Sequence, residues 1–239
     1  MPNKNLNKSS SKISAVNSPL LAVNIKLSKA NRKYGGLSLD ERKKQRRSTF
    51  LKAGLCVFGT LGYRQASVRR LCQEAKLTDR YFYEACGGLE TLLVDVYQQC
   101  MTKLSKKILH AVSSEYRQSK NPETAIIAGL DLFFEELENQ QVARVCMIEL
   151  EGLNPEVTQL YNRYIEGFAD MLRQLANHAF PNMTTPLSEQ KIIALSLVGA
   201  MRQAATSWLA NDYASDRSEL VSASSKLFLG IIRMLQKNT

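Results

Sequence analysis

Residues 46–97 read RRSTFLKAGLCVFGTLGYRQASVRRLCQEAKLTDRYFYEACGGLETLLVDVY, and the punctuation of this stretch decides the fold. Leu51, Leu55, Phe58 and Leu61 recur at helical spacing until Gly62-Tyr63 breaks the run. Ser67 then caps a short helix expected from Val68 to about Ala75. Lys76-Leu77 makes a tight turn, and Thr78 caps a second short helix from Asp79 to about Glu84. Val68, Leu71, Cys72, Leu77 and Phe82 share the inward faces and hold the two helices at a fixed angle. Two short helices joined this way form a helix-turn-helix, which sets the N-terminus of its second helix against the floor of a DNA major groove.

Working outward, a long helix starts near Gly88. Leu89, Leu92, Leu93, Val96, Tyr97, Cys100, Met101, Leu104 and Ile108 keep its apolar stripe. Asn121-Pro122-Glu123 and Asn154-Pro155-Glu156 each read as a helix start, with an N-cap, a proline at the first turn and an early carboxylate. Ser188 is the expected cap of another helix, and Asp216 with Glu219 the expected capping box of the last. No strand pattern emerges, so the expected class is all-α with about nine helices. The helix containing Ile192, Ile193, Leu195, Leu197, Val198, Met201, Ala204, Ala205 and Trp208 is apolar around most of its circumference. It is either a central core helix or, with the last helix, a subunit interface.

Charge divides the chain unevenly. Residues 1–47 hold twelve of the 32 Lys/Arg against only Asp40 and Glu41, whereas the remainder is balanced. A positive first half suits a polyanionic partner. Residues 1–39, rich in Ser, Asn and Lys without a period, read as a flexible basic arm. The five cysteines form no CxxC pair and the two histidines have no obvious partners. This inventory offers no metal site, no cofactor motif and no catalytic constellation, so a hydrolase or other enzyme is not expected. There is no signal-like apolar segment behind the N-terminal lysines and no apolar run of membrane-spanning length, so a cytoplasmic, nucleoid-associated protein is expected.

The helix-turn-helix run resembles the N-terminal domain of TetR-family (tetracycline repressor) transcriptional regulators. The resemblance rests on Phe58, Gly62-Tyr63, Ser67-Val68, Ala75, Leu77-Thr78, Phe82-Tyr83 and Glu90-x-Leu92-Leu93, in register over about fifty residues. It implies a helix-turn-helix domain over residues 40–86 and a helical ligand-binding and dimerisation domain over 87–239. It further implies a homodimer, a palindromic double-stranded DNA operator and a small-molecule effector. Carried over by position, the DNA-binding candidates are Arg46, Arg47, Ser67, Arg69, Thr78, Asp79, Arg80, Tyr81 and Tyr83. Arg80 suits guanine and Asp79 cytosine, although Asp79 also reads as a helix-start carboxylate. The candidate ligand walls are Phe133, Phe134, Cys146, Met147, Tyr161, Tyr164, Phe168 and Met171, a mostly apolar set that would equally serve as plain core.

Three positions depart from the family pattern: Lys76 stands for the turn glycine, Leu89 for a phosphate-binding lysine, and Ala85 for a His or Tyr ending the recognition helix. The function these features imply is a repressor released from its operator by a small, largely apolar ligand. The alternative is a basic helical DNA-associated or interaction protein of the same fold without a specific operator. Removing residues 1–39 is expected to weaken DNA binding generally and to flatten its salt dependence. The slope of log K against log salt should fall by about 0.9 for each phosphate the arm neutralises. Binding isotherms across a salt series check this, and an unchanged slope removes the arm from the interface.

Overall fold

The structure is a computed structural model that describes residues 38–237; residues 1–37, nearly all of the expected basic arm, lie outside it. Among the described residues the chain forms nine α-helices and one 3-10 turn. The first three helices make the head: α1 (Leu39–Leu61), α2 (Val68–Ala75) and α3 (Asp79–Cys86). The body follows as α4 (Leu89–Ser119), α5 (Pro122–Leu137), α6 (Gln140–Met147), α7 (Pro155–Ala179), α8 (Leu187–Ala210) and α9 (Arg217–Lys237).

Most helix starts follow from local chemistry. Ser38 opens α1 with a capping box: its hydroxyl accepts from the Glu41 N–H at 3.2 Å, and the Glu41 carboxylate accepts from the Ser38 N–H at 2.6 Å. These bonds hold the Glu41 carboxyl below its usual pKa. Ser67, Asn121, Asn139 and Asn154 cap α2, α5, α6 and α7 through their side chains. Two expectations shift. Thr78 occupies the N-cap of α3, but its hydroxyl makes no capping bond. Pro186, with φ already near the helical value, precedes α8 in place of Ser188. The turn that lacks its glycine is made by Lys76 in the left-handed conformation, at φ 53° and ψ 39°. The Leu77 and Lys76 N–H groups bond back to the Cys72 and Gln73 carbonyls, which offsets the steric cost of that backbone for a residue with a Cβ.

One apolar core runs from Phe50 in the head to Trp208 in the body. The inward face of α1 is Phe50, Ala53, Gly54, Val57 and Phe58. The expected Leu51, Leu55 and Leu61 flank that face, half-buried. Phe50 meets Phe82 of α3 edge-on at 5.4 Å between ring centres. On α8, Ala205 is buried in its own subunit and Ala204 packs against the core. Ala205 therefore faces the core of its own chain, while Ala204 is half-buried. The exposed apolar and glycine positions of α8 and α9 include Ile192, Leu195, Gly199, Leu227, Gly230 and Met234. By length and apolarity α8 could cross a bilayer. Here it packs against α6, α7 and α9 instead.

The head meets the body where α1 crosses α6. A methyl group on Gly59 would lie 2.5 Å from the Gln141 Cα, so only glycine permits this approach. Gly59→Ala should push the helices apart and cost about 1–3 kcal/mol, the usual scale for overpacking. A midpoint lowered by several degrees in thermal unfolding checks it; an unchanged midpoint would show that the crossing is loose.

Candidate DNA interface and effector cavity

In the helix-turn-helix, Leu71 and Phe82 are fully enclosed, while Val68, Cys72 and Leu77 pack half-buried beside them. The opposite faces carry Arg69, Arg70, Lys76, Thr78, Asp79, Arg80 and Tyr83, all exposed. Tyr83 has 58% of its surface exposed, far more than a tyrosine with a packing role needs. Arg80 is more exposed still, at 82% of its side chain, and its Nε reaches Glu84 one turn on at 3.0 Å. That pair raises the Arg80 pKa, chiefly through the hydrogen bond to Glu84. A surface i,i+4 pair is readily exchanged for a base edge. Asp79 turns its Oδ1 to the Arg80 N–H at 2.8 Å, the helix-start role. Ser67 accepts from the Arg70 N–H at 3.3 Å.

Two sequence candidates have structural work of their own. Arg47 donates to the Ala85 carbonyl at 2.7 Å and to Asp95 Oδ2 at 2.6 Å, bolting α1 to the end of α3 and to α4. Its guanidinium is thus committed to the protein rather than turned to phosphate. Burial raises the pKa of Asp95, and Arg47 counters that rise. The Arg46 guanidinium lies 3.6 Å from the centre of the Tyr81 ring and 3.9 Å from Glu84. This stacking holds Tyr81 half-buried and ties it to Arg46 as a unit. Arg70 and Lys76 were not among the DNA-binding candidates read from the sequence, where Lys76 stood only as the turn residue. Their positions on the exposed side of the turn add two cations to the face that Arg69 and Arg80 define.

The body holds a partly open cavity of about 890 Å³ between α4, α5, α7, α8 and α9, with Cys146 and Met147 of α6 at one end. Phe133, Cys146, Met147, Phe168 and Met171 line it. Phe134, Tyr161 and Tyr164 do not. Phe134 is fully buried edge-on to Trp208 at 5.9 Å, and both tyrosines pack on the ring of Tyr97, at 6.4 and 5.4 Å. The neighbours Phe133 and Phe134 diverge because adjacent helical residues point about 100° apart, a distinction that an apolar pair does not announce. The larger share of the wall comes from residues read only as helix stripes, such as Met101, Leu104, Ile108, Leu197, Phe228 and Ile231. Cys146 is fully buried, and the neighbouring Cys100 thiol together with burial push its pKa well up. It serves as apolar wall. No cluster of His, Cys, Asp or Glu suited to a metal occurs among the described residues.

Cavity and head are joined through α6. The Glu149 carboxylate, just beyond α6, accepts from the Tyr63 N–H at 2.6 Å and from Arg144 Nε at 2.7 Å. Arg144 also reaches the Thr60 carbonyl at 3.3 Å, and Gln141 the Thr60 hydroxyl at 3.3 Å. The far face of the same helix presents Cys146 and Met147 to the cavity. Glu149 was missed by sequence because its partner Tyr63 lies 86 residues away.

The protein is thus a helix-turn-helix head packed on a helical body that holds a cavity. Solved structures share this architecture. The fatty acid degradation regulator FadR from Bacillus halodurans superposes with a TM-score of 0.67 at 21% identity, over 77% of this chain and 95% of that chain. The transcriptional regulator FadR from Bacillus subtilis, in complex with stearoyl-CoA, does so with a TM-score of 0.64 at 18% identity, over 75% and 96%. A TetR-family transcriptional regulator from Pectobacterium atrosepticum gives a TM-score of 0.59 at 16% identity, over 81% and 95%. No family model and no curated protein sequence matches the chain. The fold is that of TetR-family transcriptional regulators, with the helix-turn-helix first and the helical body behind it.

Arg47→Ala should lower stability by about 1 kcal/mol, the scale of a partly exposed charge pair, because it unties α1 from α3 and α4. Arg69→Ala should leave stability unchanged. Urea titration of both variants checks this, and equal midpoints would show that Arg47 is not a brace.

Proposed function

We propose that the protein is a transcriptional repressor that binds a palindromic operator as a homodimer and releases it when a small, largely apolar ligand fills the cavity. The observation that carries this reading is one chain that joins an exposed cationic helix-turn-helix face to an apolar cavity, with α6 bonded to the head and also lining the cavity. Arg80 and Thr78 at the start of α3 are the proposed base readers, with Tyr83 on the same helix and Arg69 on α2 beside them. Tyr81 and Arg46 act as a stacked pair at the edge of the groove. Ser67, Arg70 and Lys76 suit phosphate, and contacts of that kind set affinity more than sequence choice. The chemistry proposed is binding, with no bond made or broken.

The dimer reading is supported by apolar side chains left outward on α8 and α9. Ile192 and Met234 keep 66% and 69% of their surface, and Leu195 and Leu227 are also exposed. Gly199 and Gly230 face open space, which lets another helix approach closely. A second copy related by a two-fold axis meets the same surface with the same surface, and two heads then face successive turns of one DNA side. The stearoyl-CoA in the Bacillus subtilis FadR makes long acyl chains a reasonable first class of effector to test. In the proposed mechanism, a ligand that presses on Met147 and Cys146 displaces α6, and the Glu149–Tyr63 bond passes that shift to the head.

Two variants test the reading. Leu195→Glu combined with Leu227→Glu should give monomers by sedimentation and lose tight operator binding. Arg80→Ala, selected against a randomised operator library, should lose about tenfold or more discrimination at one base position of each half-site. Binding of the wild type to all duplexes alike would favour the alternative of a DNA-associated protein without a specific operator.

A further inference from the structure

The cavity meets solvent along one seam. Among the described residues that line it, only Lys106, Leu109, Arg117 and His178 are exposed, the first three on α4 and the last on α7. The two helices run side by side. Tyr97 packs edge-on against Tyr164 at 5.4 Å, and farther along Tyr116 packs edge-on against His178 at 6.0 Å. The opening is therefore the groove between α4 and α7, and Arg117 and His178 flank its far end.

Charge along this opening is one-sided. Residues 89–237 hold 17 Asp/Glu against 14 Lys/Arg, so a wall drawn evenly from the body would be slightly acidic. Among the described residues no carboxylate lines the cavity, whereas Lys106, Arg117, Arg173 and Arg202 do. Arg173 and Arg202 are already paired, with Asp170 at 3.3 Å and Glu151 at 2.8 Å. Lys106 and Arg117 have no carboxylate within ion-pair distance among the described residues. Arg117 is steadied by its own helix, where Nε donates to the Ser113 carbonyl at 3.2 Å, and its charge is unmatched.

The chamber behind the seam is long. Its α4 wall runs from Met101 to Arg117, about 24 Å of helix, whereas a sphere of the same 890 Å³ would be only about 12 Å across. The α6 end lies beside Cys100, which neighbours Cys146, and so stands at the opposite end of this wall from Arg117. Between them the wall is apolar, with Leu104, Ile108, Leu197 and Phe228. An ion drawn among those side chains loses its hydration with nothing to replace it, whereas one held at an exposed rim keeps water on one side.

We propose that the rim of Lys106, Arg117 and His178 selects an anionic amphiphile, with a carboxylate or phosphate head at Arg117 and an aliphatic tail laid along α4 toward Cys146 and Met147. The assignment rests on the cavity being the effector site proposed above. It orients the ligand: the head stays at the seam, and the tail alone reaches the helix bonded to the head domain. An extended chain of about sixteen carbons spans roughly 20 Å, by the reach per bond of an extended backbone, nearly the length of the wall. Charge at the rim then separates anionic amphiphiles from neutral oils, which apolar walls alone distinguish weakly.

The test titrates the full-length protein by calorimetry with decanoate, decyl phosphate and 1-decanol, which share one tail. The proteins are the wild type, Arg117→Gln, Lys106→Gln and, as a control, Lys226→Gln, which removes an exposed α9 cation outside the cavity. Arg117→Gln should weaken both anions about 3- to 10-fold, the worth of one charge-assisted hydrogen bond at an exposed site, and leave 1-decanol unchanged. Lys106→Gln should weaken them less, and Lys226→Gln should not change them. Lengthening decanoate to tetradecanoate should tighten wild-type binding about a hundredfold, because the tail still has chamber to fill. A larger loss for decyl phosphate than for decanoate identifies a phosphate head, and the converse a carboxylate; either supports the rim. Anion affinities unchanged in Arg117→Gln and Lys106→Gln, or lowered equally in Lys226→Gln, with 1-decanol still bound, overturn the anionic rim and leave the effector cavity standing. Binding of none of the three probes overturns both.

Discussion

The structure depends on the crossing of α1 and α6. Gly59 lets the two backbones approach closer than any other residue would allow. The Glu149 carboxylate then fixes the register by accepting from the Tyr63 N–H and from Arg144 at once. Glu149 is almost wholly enclosed, so its charge acts in a poorly screened setting where the pairing is stronger than a surface ion pair. Gly62, at this joint, turns the chain at φ 84°, a region open to glycine. The head is held to the body at this joint and also along α4, on which α1 and α3 pack and to which the Arg47 brace reaches through Asp95.

The same short helix forms the end of the cavity. One of its faces is polar and bonded to the head, and the other is apolar and faces the chamber through Cys146 and Met147. Packed interiors shift between discrete arrangements rather than yielding smoothly. A body hollow enough to take a ligand, yet bonded to the head at its floor, is suited to converting occupancy into a change of head position.

Much of the head was legible in the sequence, because short helices with side-chain caps and a tight turn carry strong local signals. Val68–Ala75 matched the expected bounds, and Asp79–Cys86 ran two residues past its expected end. The left-handed Lys76 shows the limit of that legibility: the turn survives the loss of its glycine because backbone bonds to Cys72 and Gln73 hold it. The body was legible as stripes and caps but not as walls. Periodicity marks a face as inward without saying whether core or cavity lies there, so Phe133 and Phe134 read alike while only the first meets the chamber. Helix α6 has eight residues of mixed polarity and gives no stripe; the Asn139 cap was its one available signal. The assignments of Arg47 and Glu149 depend on partners 38 to 86 residues away, which no local pattern encodes.

If head and body form one mechanical unit through this joint, they must unfold together. Trp208, the single tryptophan, reports on the body by its emission, and Cys72 and Cys86 report on the head by pulsed alkylation read by mass spectrometry. Over a urea titration, emission and labelling should share one midpoint and one slope, as a single cooperative transition requires. Labelling of Cys72 and Cys86 at clearly lower urea than the change in Trp208 emission would mean that the head opens alone, and would contradict the coupling through α6.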